Sequence, residues 1–324
     1  MSVERVSDEI RSGDDVDALL IHDPDEYHRR LKAFNALAAN GVIESDNLTI
    51  AAIPQTIHLD KRRYSMGLDR ITAGMSPLHA GELIVVGARE GHGKTSLGER
   101  AALKNSREHR VLFVTLEMSR EEIRDRMLAK LMRTSIHGVY AEREEDSKDY
   151  LDAYDELAAR DMLIWRPTLK KERTPGAIFQ RALDLGAAFL VVDYSRMLVG
   201  WKPGDAAAEI VDEFGAFVRS SFVTTMLLTQ LNREAALRRP HSGNLQDTGK
   251  LEQAADRVVL LWRPYLGQGP KDRICEVIVS KNRHGPAFRG HAGWTGSTLD
   301  FYSYTEAEEA TAPCCHKKTK TTDD

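Results

Sequence analysis

A glycine-rich segment is the part of this sequence best suited to chemistry. It follows the apolar run Leu83–Val86, ends in Gly-Lys-Thr and leads into a helix-compatible stretch. This is the strand, loop and helix context of a phosphate-binding loop. Small residues let backbone N–H groups turn around an anion, and the helix N-terminus adds partial positive charge. We therefore predict that nucleotide binds here, through Gly87, Ala88, Arg89, Glu90, Gly91, His92, Gly93, Lys94 and Thr95.

Two side chains of this loop have predicted roles. Lys94 can reach the β- and γ-phosphates of ATP, and the Thr95 hydroxyl can coordinate Mg²⁺. The first glycine of the usual loop pattern would fall at Ala88, and the glycine stands one place earlier. The alternative, a chance glycine-rich turn, does not explain why Lys-Thr opens a helix directly behind a strand.

Three further strands are predicted to end in polar side chains. Asp193 follows Phe189–Val192 and would hold Mg²⁺ through water, unless it merely ends a strand. Glu117 follows the neighbouring strand Val111–Val114. Its carboxylate could deprotonate the attacking water, or could equally be a helix N-terminal charge favoured by the dipole. The Gln230 amide could bind a γ-phosphate, or could be an ordinary polar strand end.

These residues need a sheet to position them, and strands alternate with helices along the chain. Such alternation predicts an α/β fold with a mostly parallel sheet that helices cover on both faces. A capping box begins one helix at Ser119, and another helix opens at Thr174-Pro175 and closes at Gly186. The predicted strands are Leu83–Val86, Val111–Val114, Met162–Trp165, Phe189–Val192, Thr225–Leu228, Val258–Trp262 and Cys275–Val279.

The chain divides into three predicted parts. Residues 1–57 form an acidic extension and linker, with a helix after Asp23-Pro24 that repeats apolar residues from Tyr27 to Ala38. Residues 58–308 form the core, and residues 309–324 form a polar tail that we expect to be disordered. The Cys-Cys-His triplet in this tail has no second ligand pair nearby, so a loose tail is favoured over a metal site.

Composition excludes some classes of protein. Hydrophobic residues make up 42% and charged residues 29% of the 324 residues, as in ordinary globular proteins. No apolar stretch approaches the roughly 18 residues of a membrane span, and the N-terminus lacks an apolar signal core. Three cysteines fit a reducing compartment. We therefore expect a cytoplasmic protein without membrane association.

Charge is unevenly distributed along the chain. The net charge of −4 gives no whole-protein argument for nucleic acid, and residues 1–57 carry 5 Lys and Arg against 11 Asp and Glu. Residues 231–290 carry 11 Lys and Arg against 6 Asp and Glu, a net of +5. A locally basic segment is more typical of a channel lined by basic residues than of an open DNA-binding face. Ordinary solvated surface charge would give the same pattern in the sequence.

Several segments follow one another in an order typical of one protein family. From about Gly67 to about Tyr304 the chain resembles the RecA-like ATPase core of DnaB-type replicative DNA helicases, which is a P-loop NTPase fold with a twisted central sheet. The segments that carry the resemblance are Ala88–Thr95, Leu116–Ser119, Val191–Tyr194, Gln230–Arg233, Leu251–Asp256 and Lys281–Pro286.

The resemblance implies roles for individual residues. Glu117 would be the general base, Gln230 the γ-phosphate sensor, and Asp193 the support of the metal. Lys281 and Arg283 would act in trans on the nucleotide of an adjacent subunit, where a cation neutralises charge on the γ-phosphate. The alternative for this pair is a solvated hairpin tip.

DNA contacts are implied less strongly than ATP hydrolysis. In the family, a basic loop matching Gln246, Asp247, Thr248, Gly249 and Lys250 contacts single-stranded DNA, and Gln246 stands where arginine is usual. The stretch Ala208–Phe214 also carries no cation. Weaker DNA binding with a smaller salt dependence is therefore expected. Substitute cations are offered by Lys202, Arg219, Arg238, Arg239 and Lys250.

Two functional hypotheses follow. The favoured one is an ATP-dependent replicative helicase that forms a ring, a hexamer by resemblance, and moves 5′ to 3′ on single-stranded DNA. A primase and a helicase loader would be its partners, and the short acidic extension suggests a compact, phage-like or plasmid-like form. The alternative is a RecA-like ring ATPase that acts on protein partners without unwinding DNA.

Overall fold

The secondary structure alternates strands and helices through most of the described chain. The computed structural model describes residues 62–201, 205–231, 239–245 and 252–303. The strands are β1 (Arg63–Tyr64), β2 (Leu78–His79), β3 (Leu83–Ala88), β4 (Val111–Thr115), β5 (Met162–Trp165), β6 (Phe189–Asp193), β7 (Thr224–Gln230), β8 (Arg257–Trp262), β9 (Ile274–Asn282), β10 (Phe288–Thr295) and β11 (Asp300–Ser303). The α-helices are α1 (Asp69–Met75), α2 (Lys94–Asn105), α3 (Arg120–Leu131), α4 (Ile136–Glu144), α5 (Lys148–Ala158), α6 (Pro175–Asp184) and α7 (Asp205–Ser221).

One large sheet organises these elements. Its nine strands run in the order β11-β10-β9-β8-β3-β7-β6-β4-β5, and β1 and β2 form a separate antiparallel pair. Strands β8, β3, β7, β6, β4 and β5 are parallel, while β9, β10 and β11 continue the sheet as an antiparallel extension. The predicted α/β fold with a mostly parallel sheet is therefore confirmed, and each of the seven predicted strands is present.

Helices cover both faces of the sheet. Side chains of β3 alternate between two cores, because successive residues of a strand point to opposite faces. Ile84 packs in one core with Leu97 of α2, and Val85 packs in the other with Phe214 of α7. All six residues of β3 are buried, which explains why this strand is a continuous apolar run and does not alternate with polar residues.

The residues predicted to begin and end helices do so in the structure. Ser119 caps α3, its hydroxyl accepting the Glu122 N–H, and the Glu122 side chain accepts the Ser119 N–H. Thr174 caps α6, and Gly186 adopts a left-handed φ of 62° just beyond the end of that helix. The predicted N-terminal helix and the C-terminal tail lie outside the described residues. Within the described part of the chain, no helix has the length and apolar character to cross a membrane.

Candidate nucleotide-binding site

The glycine-rich loop connects β3 to α2. It spans residues 89–93, and α2 begins at Lys94 with Gly93 as its N-cap. Gly91 and Gly93 have φ values of 76° and 94°, a left-handed region that glycine adopts without steric cost. A Cβ atom on Gly93 would lie 2.6 Å from the Phe301 ring. These two glycines therefore allow the backbone to curl before the helix starts.

Gly87 and Ala88 differ from the sequence-based expectation for the loop boundary. Both belong to β3 and not to the loop. A Cβ atom at Gly87 would lie 2.6 Å from Leu245 Cδ2 and 2.9 Å from Leu231 Cδ2. The glycine that is displaced from the usual pattern thus makes room for leucine side chains against the strand, and the loop proper begins at Arg89.

Asp193 lies beside the start of α2. It ends β6, is 1% exposed, and its Oδ1 atom has no hydrogen-bond partner among the described residues. Lys94 Nζ lies 3.9 Å from Oδ1, too far for a hydrogen bond. Burial raises the pKa of the Asp193 carboxyl group, while Lys94 and the Thr95 hydroxyl act in the opposite direction. Lys94 also lies over the Tyr194 ring, 4.4 Å from its centroid.

These oxygen atoms fit a magnesium site. A buried carboxylate oxygen without a donor is costly, and a bound cation would remove that cost. Asp193 and Thr95 supply the carboxylate and hydroxyl oxygens that Mg²⁺ prefers. When bound, the ion supplies charge neutralisation at the phosphates.

Glu117 lies at the same edge of the sheet. Thr115, the last residue of β4, pairs with Asp193, and the Leu116 N–H donates to the Asp193 carbonyl at 2.7 Å. The Glu117 side chain is exposed. Burial, and after it the charge of Glu117, raises the pKa of the Tyr194 hydroxyl. Because Glu117 precedes the N-cap of α3, it is outside the first helical turn, where a dipole-stabilising charge would lie.

Gln230 completes the group at this edge. It is the last residue of β7 and pairs with Ala88, directly before the loop. Arg196 Nη1 donates to Gln230 Oε1 at 3.4 Å. Sequence reasoning missed Arg196, although its position three residues after Asp193 places it at the same strand edge. The structure thus brings together Lys94, Thr95, Asp193, Glu117 and Gln230.

A buried contact braces the loop from the side of β8. His92 is 7% exposed, and its Nδ1 atom accepts the Arg263 backbone N–H at 2.9 Å. Burial, followed by the charge of Arg263, lowers the pKa of His92 to about 4, so the imidazole is neutral at neutral pH. The Arg263 guanidinium donates to the Gly91 carbonyl at 2.7 Å and lies over the Trp294 ring.

Arg263 was not predicted from the sequence. Its position could have indicated a role, because Arg263 directly follows the predicted strand that ends at Trp262. The carboxyl end of that strand lies beside the loop. Asp272 pairs with the Arg263 guanidinium and completes the brace.

Lys281 and Arg283 lie near the amino-terminal ends of the parallel strands, at the opposite end from the glycine-rich loop. Asn282, between them, pairs with Arg257 at the start of β8, and Arg257 pairs with Ile84 near the start of β3. The loop follows Ala88, four residues farther along β3, which corresponds to about 13 Å of strand. The two cations are therefore separated from the loop of their own subunit.

Both cations are held by one short segment. Lys281 Nζ donates to the carbonyls of Glu252 and Gln253 at 2.5 and 3.0 Å. Arg283 Nη1 donates to Asp256 Oδ1 at 3.1 Å, and Nη2 donates to the Gln253 carbonyl at 2.9 Å. Burial, and then the charge of Arg283, lowers the pKa of Lys281.

The predicted DNA-contacting residues Gln246–Lys250 lie outside the described residues, as do Lys202 and Arg238. Of the proposed substitute cations, Arg219 is exposed near the end of α7. Arg239 pairs with Glu276 at 3.0 Å and lies over Trp262, so part of its charge is already neutralised.

Known proteins match this chain in sequence and fold. The family model described as "DnaB-like helicase C terminal domain" matches residues 64–303. The "Replicative DNA helicase DnaB" of Pasteurella multocida is 29% identical over an alignment of 266 residues that covers 75% of this chain and 55% of that protein. The Helicobacter pylori (strain ATCC 700392 / 26695) protein of the same name is 29% identical over an alignment of 221 residues that covers 62% of this chain and 43% of that protein. The chain thus spans about half the length of the curated relatives that it matches.

Solved structures share the fold. The structure of a DnaB-like replicative helicase, described together with its interactions with primase, has a TM-score of 0.70 at 19% identity, covering 94% of this chain and 75% of that one. A KaiC-like protein from Pyrococcus horikoshii has a TM-score of 0.54 at 16% identity, covering 75% of this chain and 99% of that one. At these identities the likeness establishes a RecA-like fold alone. Because the family model covers nearly all of the sheet and the loop, the chain belongs to the DnaB-like helicase C-terminal domain family.

Proposed function

We propose that this protein is an ATP-dependent replicative DNA helicase. It assembles into a ring, a hexamer, and translocates 5′ to 3′ on single-stranded DNA while it hydrolyses ATP at the interfaces between subunits. The observation that carries the proposal is the separation of Lys281 and Arg283 from the loop of their own subunit. A site that lacks these two cations in its own subunit can obtain them from the next.

The residues around the glycine-rich loop have separate roles in ATP hydrolysis. Lys94 neutralises charge on the β- and γ-phosphates, and Thr95 and Asp193 hold Mg²⁺. The Glu117 carboxylate takes the proton of the attacking water. The Gln230 amide hydrogen-bonds the γ-phosphate, and its contact with Arg196 links the sensor to the residues that follow Asp193.

The neighbouring subunit contributes the remaining charge. Arg283 and Lys281 approach the γ-phosphate of the next subunit, where preorganised donors stabilise charge that develops in the transition state. Such an arginine can contribute a factor of about 10³–10⁵ in rate. Hydrolysis at one interface is thereby coupled to movement between subunits.

Single-stranded DNA is the proposed substrate of translocation. Gln246–Lys250 contact its backbone, and with few cations in this region the affinity depends less steeply on salt than in a strongly basic channel. In this proposal the protein works in the cytoplasm with a primase and a helicase loader.

Strand displacement tests the proposal directly. A forked duplex with a 5′ tail is incubated with the protein, with and without ATP and Mg²⁺, beside a duplex that has only a 3′ tail. We expect ATP-dependent unwinding of the first substrate alone, and none by the Lys94→Ala variant. ATP hydrolysis without any unwinding would contradict the helicase assignment and favour a ring ATPase that acts on protein partners.

A further inference from the structure

Asp256 connects the start of β3 with Arg283. Its N–H donates to the Leu83 carbonyl at 2.9 Å, and its Oδ2 atom accepts the Leu83 N–H at 2.8 Å. Its carbonyl accepts the Arg283 N–H at 3.0 Å, and its Oδ1 atom accepts Arg283 Nη1 at 3.1 Å. Both backbone polar groups and both carboxylate oxygens are therefore engaged by two residues, Leu83 and Arg283.

The geometry of this ion pair suits orientation better than stabilisation. The Arg283 side chain is 47% exposed and that of Asp256 is 13% exposed. Ion pairs that are open to solvent contribute little to the stability of a fold. The second bond of the guanidinium, from Nη2 to the Gln253 carbonyl, fixes its plane as well as its position. The remaining guanidinium N–H groups make no hydrogen bond to the described residues.

We propose that Asp256 is a positioning residue that aims Arg283 at the nucleotide of the neighbouring subunit. The inference rests on the proposed function, because it assumes that Arg283 acts in trans. It adds a connection, within one subunit, between Arg283 and the strand that leads to the glycine-rich loop. Leu83 begins the strand whose other end carries the glycine-rich loop, so Asp256 ties the direction of Arg283 to the subunit's own nucleotide site.

The Asp256→Asn variant tests this role. Its side chain keeps one oxygen to accept the Leu83 N–H, but it turns an NH₂ group towards the guanidinium and removes the ion pair. A displaced catalytic group typically costs up to about a hundredfold in rate. We expect kcat for ATP hydrolysis to fall by about tenfold to a hundredfold, with KM for ATP changed by less than about twofold, because uniform binding is retained.

Mixing experiments separate positioning from a general structural defect. A subunit with Asp256→Asn has an intact Glu117, and a Glu117→Gln subunit has an intact pair of Asp256 and Arg283. Mixed rings therefore contain complete interfaces, and we expect turnover to recover when these two variants are combined. Mixing Asp256→Asn with Arg283→Ala should give no recovery, because both lack the same contribution. The double variant should hydrolyse ATP no more slowly than Arg283→Ala alone.

Controls keep the result interpretable. Asp161→Asn removes an ion pair with Arg110 at 2.9 Å between two half-exposed side chains, far from β9, and should leave kcat unchanged. Thermal melting of Asp256→Asn should stay close to that of Asp161→Asn. Asp256→Glu keeps the charge but displaces it, and should give a smaller loss of kcat with the same recovery on mixing.

Three outcomes would overturn the inference. The first is turnover of Asp256→Asn at or above the wild-type rate, since a rise would mean that Asp256 restrains Arg283. The second is a loss that Glu117→Gln subunits do not restore while they do restore Arg283→Ala. The third is failure of Arg283→Ala itself to recover, which would refute the trans site of the proposed function and remove the inference with it.

Discussion

His92 should make the stability of the protein depend on pH. Its imidazole is buried against the β8 side of the loop and accepts the Arg263 N–H. A protonated imidazole has no lone pair to accept the Arg263 N–H. Protonation of His92 at low pH therefore opposes this hydrogen bond. The substitution that tests the effect is His92→Asn, which retains an oxygen acceptor at similar reach but does not titrate.

The magnitude follows from the difference between the folded and unfolded pKa. Burial lowers the pKa of His92 from 6.5 to about 4, so between these values the unfolded chain binds a proton that the folded chain does not. The contribution of His92 to the free energy of unfolding is therefore fully present above the unfolded pKa and falls as the pH is lowered. From pH 8 to pH 5 the loss is about 2 kcal/mol.

Urea denaturation of the wild type and of His92→Asn at pH 8 and pH 5 measures this loss. Other groups titrate equally in both proteins, so the wild type should lose about 2 kcal/mol more than the variant. The exposed His137 provides a matched control, because His137→Asn should follow the wild type. Equal losses in the wild type and His92→Asn would refute the reasoning.

Further predictions concern the chemistry and the packing. Lys94→Ala and Glu117→Gln should abolish ATP hydrolysis, whereas Glu117→Gln should still bind a fluorescent ATP analogue, because its carboxylate serves water and not phosphate; wild-type turnover by Glu117→Gln would refute the base assignment. Arg283→Ala should bind nucleotide normally as an isolated subunit but lose about a factor of 10³ or more in turnover. Wild-type turnover should also rise steeply with protein concentration as rings form, and light scattering that shows a fully active monomer would contradict this. Gly87→Val should destabilise the fold by about 1–3 kcal/mol in urea denaturation, since its side chain would meet Leu245 and Leu231.

Local patterns predicted the elements that carry the candidate site. Strands β3 and β6 are buried on both faces, so their sequences are continuous apolar runs that can be recognised without a structure. The capping box at Ser119 and the Thr174-Pro175 signal are likewise local. Residues at the ends of such elements, including Lys94 and Asp193, could therefore be located from the sequence.

Other features depend on distant contacts and could not be found in this way. Strand β10 contains two glycines, an arginine and a histidine and shows no clear alternation; it is a strand because it pairs with β9 and β11. The bond between His92 and Arg263 joins residues 171 positions apart. The insertion of β7 between β3 and β6 is equally invisible in the order of the sequence.

The opposite placement of the loop and the two cations gives any productive assembly a direction. With the cations acting in trans, a two-fold dimer could complete a site only if the loop and the two cations of each subunit lay in the same interface. Head-to-tail contacts, in which two different surfaces meet, let loop and cations lie in separate interfaces, and such contacts close into rings or continue as open helices. An open helix leaves one terminal site without Lys281 and Arg283, whereas a closed ring leaves no site incomplete. In a ring of the proposed kind, the direction of the strands would set the polarity, and closure would complete the site of every subunit.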